Sequence, residues 1–152
     1  MFGEGLKLSE VDVKALLADN RVSWTEEKLR YSDLDMNGHV NNACFATFCE
    51  SGRVTLIRKL FPMADREGFF TVIVRLEINF KAELFFPGTV RTATWFTRVG
   101  NSSFTMDQVL LRDDDVVAAV ATGTCVACDF ATRRPLPFTE EERALFLPYM
   151  RG

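Results

Sequence analysis

The stretch Tyr31-Ser-Asp-Leu-Asp-Met-Asn-Gly-His-Val-Asn-Asn-Ala-Cys-Phe, ending at Phe45, decides how the rest of the chain is read. It packs two carboxylates, a carboxamide and the only histidine of the protein into a short polar turn. A strand-like run, Trp24 to Tyr31, enters this turn, and an apolar helical run leaves it. Polar residues at the mouth of a buried helix place an acid/base group beside backbone N–H groups that have no partner inside the helix. Acyl transfer needs both: a group that attacks or activates, and donors for an oxyanion. The spacing centres any such chemistry on Asp35.

Downstream, a helix is expected from about Asn41 to Leu60. Phe45, Phe48, Cys49, Leu56 and Leu60 recur at helical spacing, with Glu50, Arg53 and Arg58 elsewhere. Ala43, Cys44, Ala46 and Val54 spread apolar character round the circumference, so the helix is expected to be wrapped by other elements. The wrapping follows in sequence. Val72, Val74, Leu76, Ile78, Phe80 and Ala82 alternate with Arg75, Glu77, Asn79, Lys81 and Glu83, the period of a strand with one dry face. Pro87-Gly88 turns into a second strand, Thr89 to Val99. Gly100-Asn101 makes a hairpin to a third, Ser103 to Arg112. Asp113-Asp-Asp115 leads to a fourth, Val116 to Phe130, apolar and small on both faces. One long helix among five strands reads as α+β, with the helix laid across a strongly curved antiparallel sheet.

Ser9-Glu-Val-Asp12 and Thr139-Glu-Glu-Glu142 are capping-box patterns that open two short, peripheral helices. The chain, 152 residues long, suits one domain spanning 1–152. Apolar residues make up 47% and charged residues 26%, with fourteen phenylalanines, enough to fill a sizeable core and leave room for some of it to be shared with a partner subunit. A net charge of −3 speaks against a nucleic-acid partner. No apolar run is long enough for a membrane span, and Met1-Phe-Gly-Glu-Gly-Leu-Lys lacks the pattern of a signal peptide, so a cytoplasmic location is expected. Cys125-Val-Ala-Cys128 has metal or redox spacing, but residues three apart on a strand point to opposite faces. The cysteines read as small buried hydrophobes, and no metal or other cofactor is expected.

Over roughly Lys28 to Arg143 the chain resembles the hotdog-fold thioesterases, in particular the hydroxybenzoyl-CoA thioesterase-like branch of acyl-CoA thioesterases. The resemblance is carried by the Tyr31–Asn42 segment and by Glu50-Ser-Gly-Arg53. Phe80-Lys-Ala-Glu, Arg98-Val-Gly-Asn-Ser-Ser-Phe and Asp129-Phe-Ala-Thr-Arg-Arg-Pro carry it further. Asp-Met-Asn-Gly-His-Val-Asn-Asn is also similar to plant acyl-carrier-protein thioesterases, which are double hotdogs where this chain has length for one. The resemblance implies a sheet of about five to six strands wrapped round the central helix. It implies an acyl-CoA or acyl-ACP substrate, and a homodimer or homotetramer with active sites at subunit interfaces.

Carried over residue by residue, the resemblance makes Asp35 the catalytic carboxylate, as nucleophile or general base. Asn37 and His39 become its polar partners, and Asn42 the residue whose backbone N–H polarises the thioester carbonyl. Arg98, with Ser102 and Ser103, falls where some members grip the CoA phosphates, and Arg133 and Arg134 are further candidates. Gly100-Asn101-Ser102 stands where those members have a basic turn, which keeps an acyl-carrier-protein donor open. Asp33 reads as a turn former. Glu50 and Arg53, three apart, read as an ordinary surface pair. Two alternatives stay open: an enoyl-thioester hydratase or dehydratase, and a non-catalytic acyl-CoA-binding protein.

Overall fold

A computed structural model describes residues 4–61 and 69–152; Met1 to Gly3 of the segment read above for a leader lie outside them. In chain order the elements are α1 (Val13–Ala18), β1 (Ser23–Lys28), α2 (Asn42–Leu60), β2 (Phe69–Phe80), β3 (Thr89–Val99), β4 (Ser103–Arg112), β5 (Val117–Asp129) and α3 (Glu140–Phe146). The five strands form one antiparallel sheet in the order β1-β3-β4-β5-β2. The chain crosses from one edge strand to the other through α2, which packs on β1, β3 and β4. This is the α+β hotdog arrangement expected above.

Two core layers explain the composition of the strands. On the α2 side, Phe45, Phe48 and Cys49 pack with Leu110, Ala119 and Ala121, and farther along Leu56 and Leu60 meet Phe96, Phe104 and Met106. On the other side, Leu16 of α1 and Val22 cover Ala93, Trp95, Val109, Leu111 and Val120. Strand β5 is therefore sandwiched, and its run of Ala, Val, Gly and Cys is what a strand buried on both faces requires. The N-terminal helix, expected to be peripheral, is the second layer.

Helix α2 approaches the sheet most closely at Gly52. A Cβ there would come within 2.7 Å of Thr94 Oγ1 and 2.8 Å of Gln108 Nε2. The buried Gln108 amide uses that space to donate to the Cys49 carbonyl and to Thr94 Oγ1, each at 2.9 Å. Two local readings shift. Asp12, rather than Ser9, caps α1 by accepting from Ala15 N at 3.1 Å, because Leu8–Glu10 closes into a separate 3-10 turn. β1 ends at Lys28, since Tyr31–Asp33 winds into a 3-10 turn whose Asp33 carboxylate reaches back to Arg30 N at 2.8 Å.

Candidate active site

The polar turn is built from its own hydrogen bonds. Asp35 N–H donates to the His39 carbonyl at 2.9 Å, and Gly38 N–H donates to the Asp35 carbonyl at 3.1 Å. Gly38 has φ of +79°, a conformation that glycine adopts without a Cβ clash. Asp35 Oδ1 accepts from Asn37 N–H at 2.9 Å, an Asx-turn that fixes the carboxylate. Asp33 serves the frame. It is buried, its Oδ1 meets the Arg30 guanidinium at 3.0 Å, and its carbonyl accepts from Asn41 N–H at 2.8 Å.

Asn41 caps α2, its side chain accepting from Ala43 N–H at 3.1 Å, while its carbonyl accepts from Cys44 N–H at 2.9 Å. Among the described residues, the Asn42 N–H between them has no acceptor. One donor at the positive end of a nineteen-residue helix is therefore unspent.

Asp35, Asn37, His39 and Asn42 line a single cleft of about 530 Å³. Its apolar wall is Phe45 and Phe80, whose rings meet edge to face at 5.1 Å between centroids. Sequence reasoning missed three charged residues on its rim: Lys81 and Glu83, just after β2, and Arg112 at the end of β4. The Phe80-Lys-Ala-Glu segment held the only signal for them. His39 Nε2 lies 3.8 Å from Glu83 Oε1, with the ring edge-on to Phe85. Arg112 is spoken for on one side, by Asp114 and by the Glu83 carbonyl.

Arg98, Ser102 and Ser103 are not brought to this cleft within one chain. Ser103 and Arg112 stand at opposite ends of β4, roughly 30 Å apart at strand spacing. Arg98 lines a different cleft, of about 710 Å³, on the sheet face opposite α2, together with Trp95, Thr105, Asp107 and Arg151. Burial there holds the Asp107 carboxyl above its ordinary value, against the hydrogen bond it accepts from Thr122. Arg133 stacks over Phe130 and Phe70.

Thiols are poor candidates for the nucleophile. Burial, and then the Asp33 charge, raises the Cys44 thiol above its ordinary value, and burial pushes Cys49 and Cys125 up to about 11. No group of three or more His, Cys, Asp or Glu gathers as a metal-ligand set among the described residues. No helix among them is long and apolar enough to cross a membrane.

Known proteins share this architecture and sequence pattern. The chain is 23% identical over 120 residues to YneP of Bacillus subtilis (strain 168), provisionally assigned as an acyl-CoA thioesterase, with 77% of this chain and 87% of that protein covered. A thioesterase structure from Bacillus stearothermophilus, its activity inferred, superposes with a TM-score of 0.79 at 25% identity, covering 86% of this chain and 97% of that one. The DHNA-CoA thioesterase of Staphylococcus aureus superposes with a TM-score of 0.75 at 20% identity, over 83% and 89% of the two chains. Residues 29–146, which hold the polar turn, α2 and the four strands after it, match the Thioesterase-like superfamily as a whole, and the chain belongs to that family of thioester hydrolases.

Proposed function

We propose that the protein hydrolyses an acyl-CoA thioester to a free acid and a thiol, with Asp35 as the reacting carboxylate. The carrying observation is that Asp35 and the acceptor-free Asn42 N–H line one cleft. A thioester carbonyl seated there accepts from Asn42 N–H as its oxygen gains negative charge, a donor typically worth about 3–4 kcal/mol to such a transition state. Asp35 attacks the carbonyl carbon and expels the thiolate, giving an acyl-enzyme anhydride that water then opens to the free acid, or it takes a proton from a water that attacks the carbonyl and displaces the thiolate. Asn37 and His39 hold that water or the carboxylate. Phe45 and Phe80 receive the first carbons of the acyl chain. A CoA donor is favoured over an acyl carrier protein because the relatives with assigned substrates bear CoA-ester names. Four free cysteines fit work in the reducing cytoplasm.

The working unit in this reading is a homodimer, or a homotetramer built from it, with active sites between subunits. β2 is an edge strand. A second copy pairing antiparallel with it would lay its own Phe69 end beside this chain's Phe80, next to Asp35. That end carries Asp129, which pairs with Phe69, the Arg133 and Arg134 that follow, and the Ser102–Ser103 hairpin. Arg98, Ser102 and Ser103 would then serve the nucleotide of a substrate held at the neighbour's Asp35.

The test is thiol release over short, medium, long and aromatic acyl-CoAs with wild type and Asp35→Asn. The variant keeps an oxygen for Asn37 N–H, so the fold stays while turnover falls by about 10²–10⁴-fold. Undiminished hydrolysis by the variant would overturn the assignment. Single turnover in heavy-oxygen water separates the two routes, since direct attack first delivers an enzyme oxygen to the acid.

A further inference from the structure

Arg53 is 6% exposed, its Nη1 is buried without a hydrogen-bond partner, and among the described residues it forms no ion pair. The surface pair expected with Glu50 is not made. Glu50 is exposed, whereas the Arg53 stem turns inward, its Cδ 3.7 Å from where a Gly123 Cβ would be. The Cys49 and Cys125 thiols feel the charge of Arg53, but burial keeps both protonated at neutral pH, so neither supplies a counter-charge. A buried guanidinium left in this state is strongly unfavourable, and an anion carried in by a ligand relieves it.

Two rails lead from the Asp35 cleft to Arg53. On α2, Asn42, Ala46, Cys49 and Arg53 follow one another at helical spacing and so form one stripe. The stripe begins at the acceptor-free Asn42 N–H and reaches Arg53 about 16 Å farther along the axis. On β5, Ala119 and Ala121 share a core layer with Phe45 and Cys49, and Gly123 lies against Arg53. Phe80, Ile78 and Leu76 of β2 pair with those three residues, and directly paired residues share a face. Phe80 walls the cleft, while Leu76 stands level with Gly123, about 13 Å along the strand. Phe80 and Leu76 are both exposed. An apolar lane with one open side thus starts at the reacting carboxylate and ends at a lone cation.

We infer that Arg53 receives the far end of the acyl group, and that the substrate is the CoA monothioester of a medium-chain dicarboxylic acid. The inference rests on thioester hydrolysis at Asp35 and adds the class of acid released. A neutral acceptor such as a hydroxyl would satisfy one N–H and leave the charge uncompensated. A carboxylate does both, through charge-assisted hydrogen bonds. At about 1.25 Å per bond, an extended chain of roughly eight to twelve carbons spans the lane. A plain acyl chain of that length would lay its methyl end against the guanidinium. The reaction itself is unchanged: water adds its oxygen to the carbonyl carbon, the CoA thiolate leaves and takes up a proton, and a free dicarboxylate departs.

Thiol release from the CoA monothioester of decanedioic acid, set against decanoyl-CoA, tests this with the full chain. Wild type is expected to favour the first in kcat/KM on the order of 100-fold. Arg53→Met keeps an apolar stem and should bring that ratio near one, while Arg53→Lys keeps the charge and part of the preference. Without ligand, Arg53→Met should also raise Tm by a few degrees, because an uncompensated buried charge is gone. A destabilised Arg53→Met with an unchanged ratio would assign Arg53 a partner inside the protein and overturn the inference. Should Arg53→Met not fold, the wild-type ratio and Arg53→Lys decide. A wild type that hydrolyses acyl-CoAs with no preference for the carboxylate-ended ester overturns the inference and leaves hydrolysis standing. Release from no acyl-CoA at all removes both, and Asp35→Asn lowers both rates alike whichever way the ratio falls.

Discussion

The Asp33 carboxylate accepts from Arg30 N–H and pairs with the Arg30 guanidinium while almost wholly buried, whereas Asp35 is half-buried and lines the cleft. Two acids with one spacer residue thus carry different loads. Asp33→Ala removes a buried charged acceptor from the Arg30 N–H and guanidinium and should cost about 1–3 kcal/mol of stability. Denaturant titration reads that loss, while the kcat of the folded fraction should stay within a few-fold of wild type. A collapse of kcat without loss of stability would instead make Asp33 part of the chemistry. The polar turn was legible because each of its residue types plays a local part, as Asx-turn, left-handed glycine or helix cap. Arg53 was not legible. Spacing to Glu50 suggests a surface pair on one helix, but only packing shows that Arg53 is buried, its Cδ against Gly123 of β5.

At the scale of elements, helical periodicity located α2 because that pattern follows from one buried face, and alternation located β2 although its expected dry face, Val72, Val74, Leu76 and Phe80, is exposed within one chain and Lys81 to Glu83 fall past its end. Periodicity says nothing of how near two faces come, and here Gly52 sets the approach of α2 to β3 and β4. In an exposed helix, Gly→Ala would gain up to about 1 kcal/mol from backbone entropy. At position 52 the new methyl must displace Thr94 Oγ1 and Gln108 Nε2, the second of which donates to the first and to the Cys49 carbonyl. Overpacking of that kind costs about 1–3 kcal/mol, so the steric term wins and Gly52→Ala should be destabilising. Thermal melts at neutral pH check the sign. A stabilised variant would mean that α2 rides farther from the sheet than described. The second layer, α1 on the opposite face, was the element sequence reading undervalued: six residues offer too short a period to reveal that Leu16 is fully buried.

For the molecule as a whole, that second layer ties the ends of the described chain together. Asp19, just past α1, accepts from Arg21 and from Arg151, a partner 132 residues away in sequence, and Arg151 lies over the Trp95 ring. The Arg21 guanidinium and backbone, with Arg151 behind them, hold the Asp19 carboxyl well below the usual carboxylate range. A group whose folded pKa is depressed contributes stability that is fully present above its unfolded value, near 3.8, and is lost as pH falls toward the folded one. Asp19→Asn should therefore lower Tm by a few degrees at pH 7, and the gap to wild type should narrow below about pH 4 as the native carboxyl takes up its proton. Scanning calorimetry from pH 7 to pH 2 measures both curves. A gap that stays constant through acid would mean that Asp19 acts through shape alone. A gap that widens would reverse the sign of the linkage and remove the charge pair from the account of how the two core layers are held to one sheet.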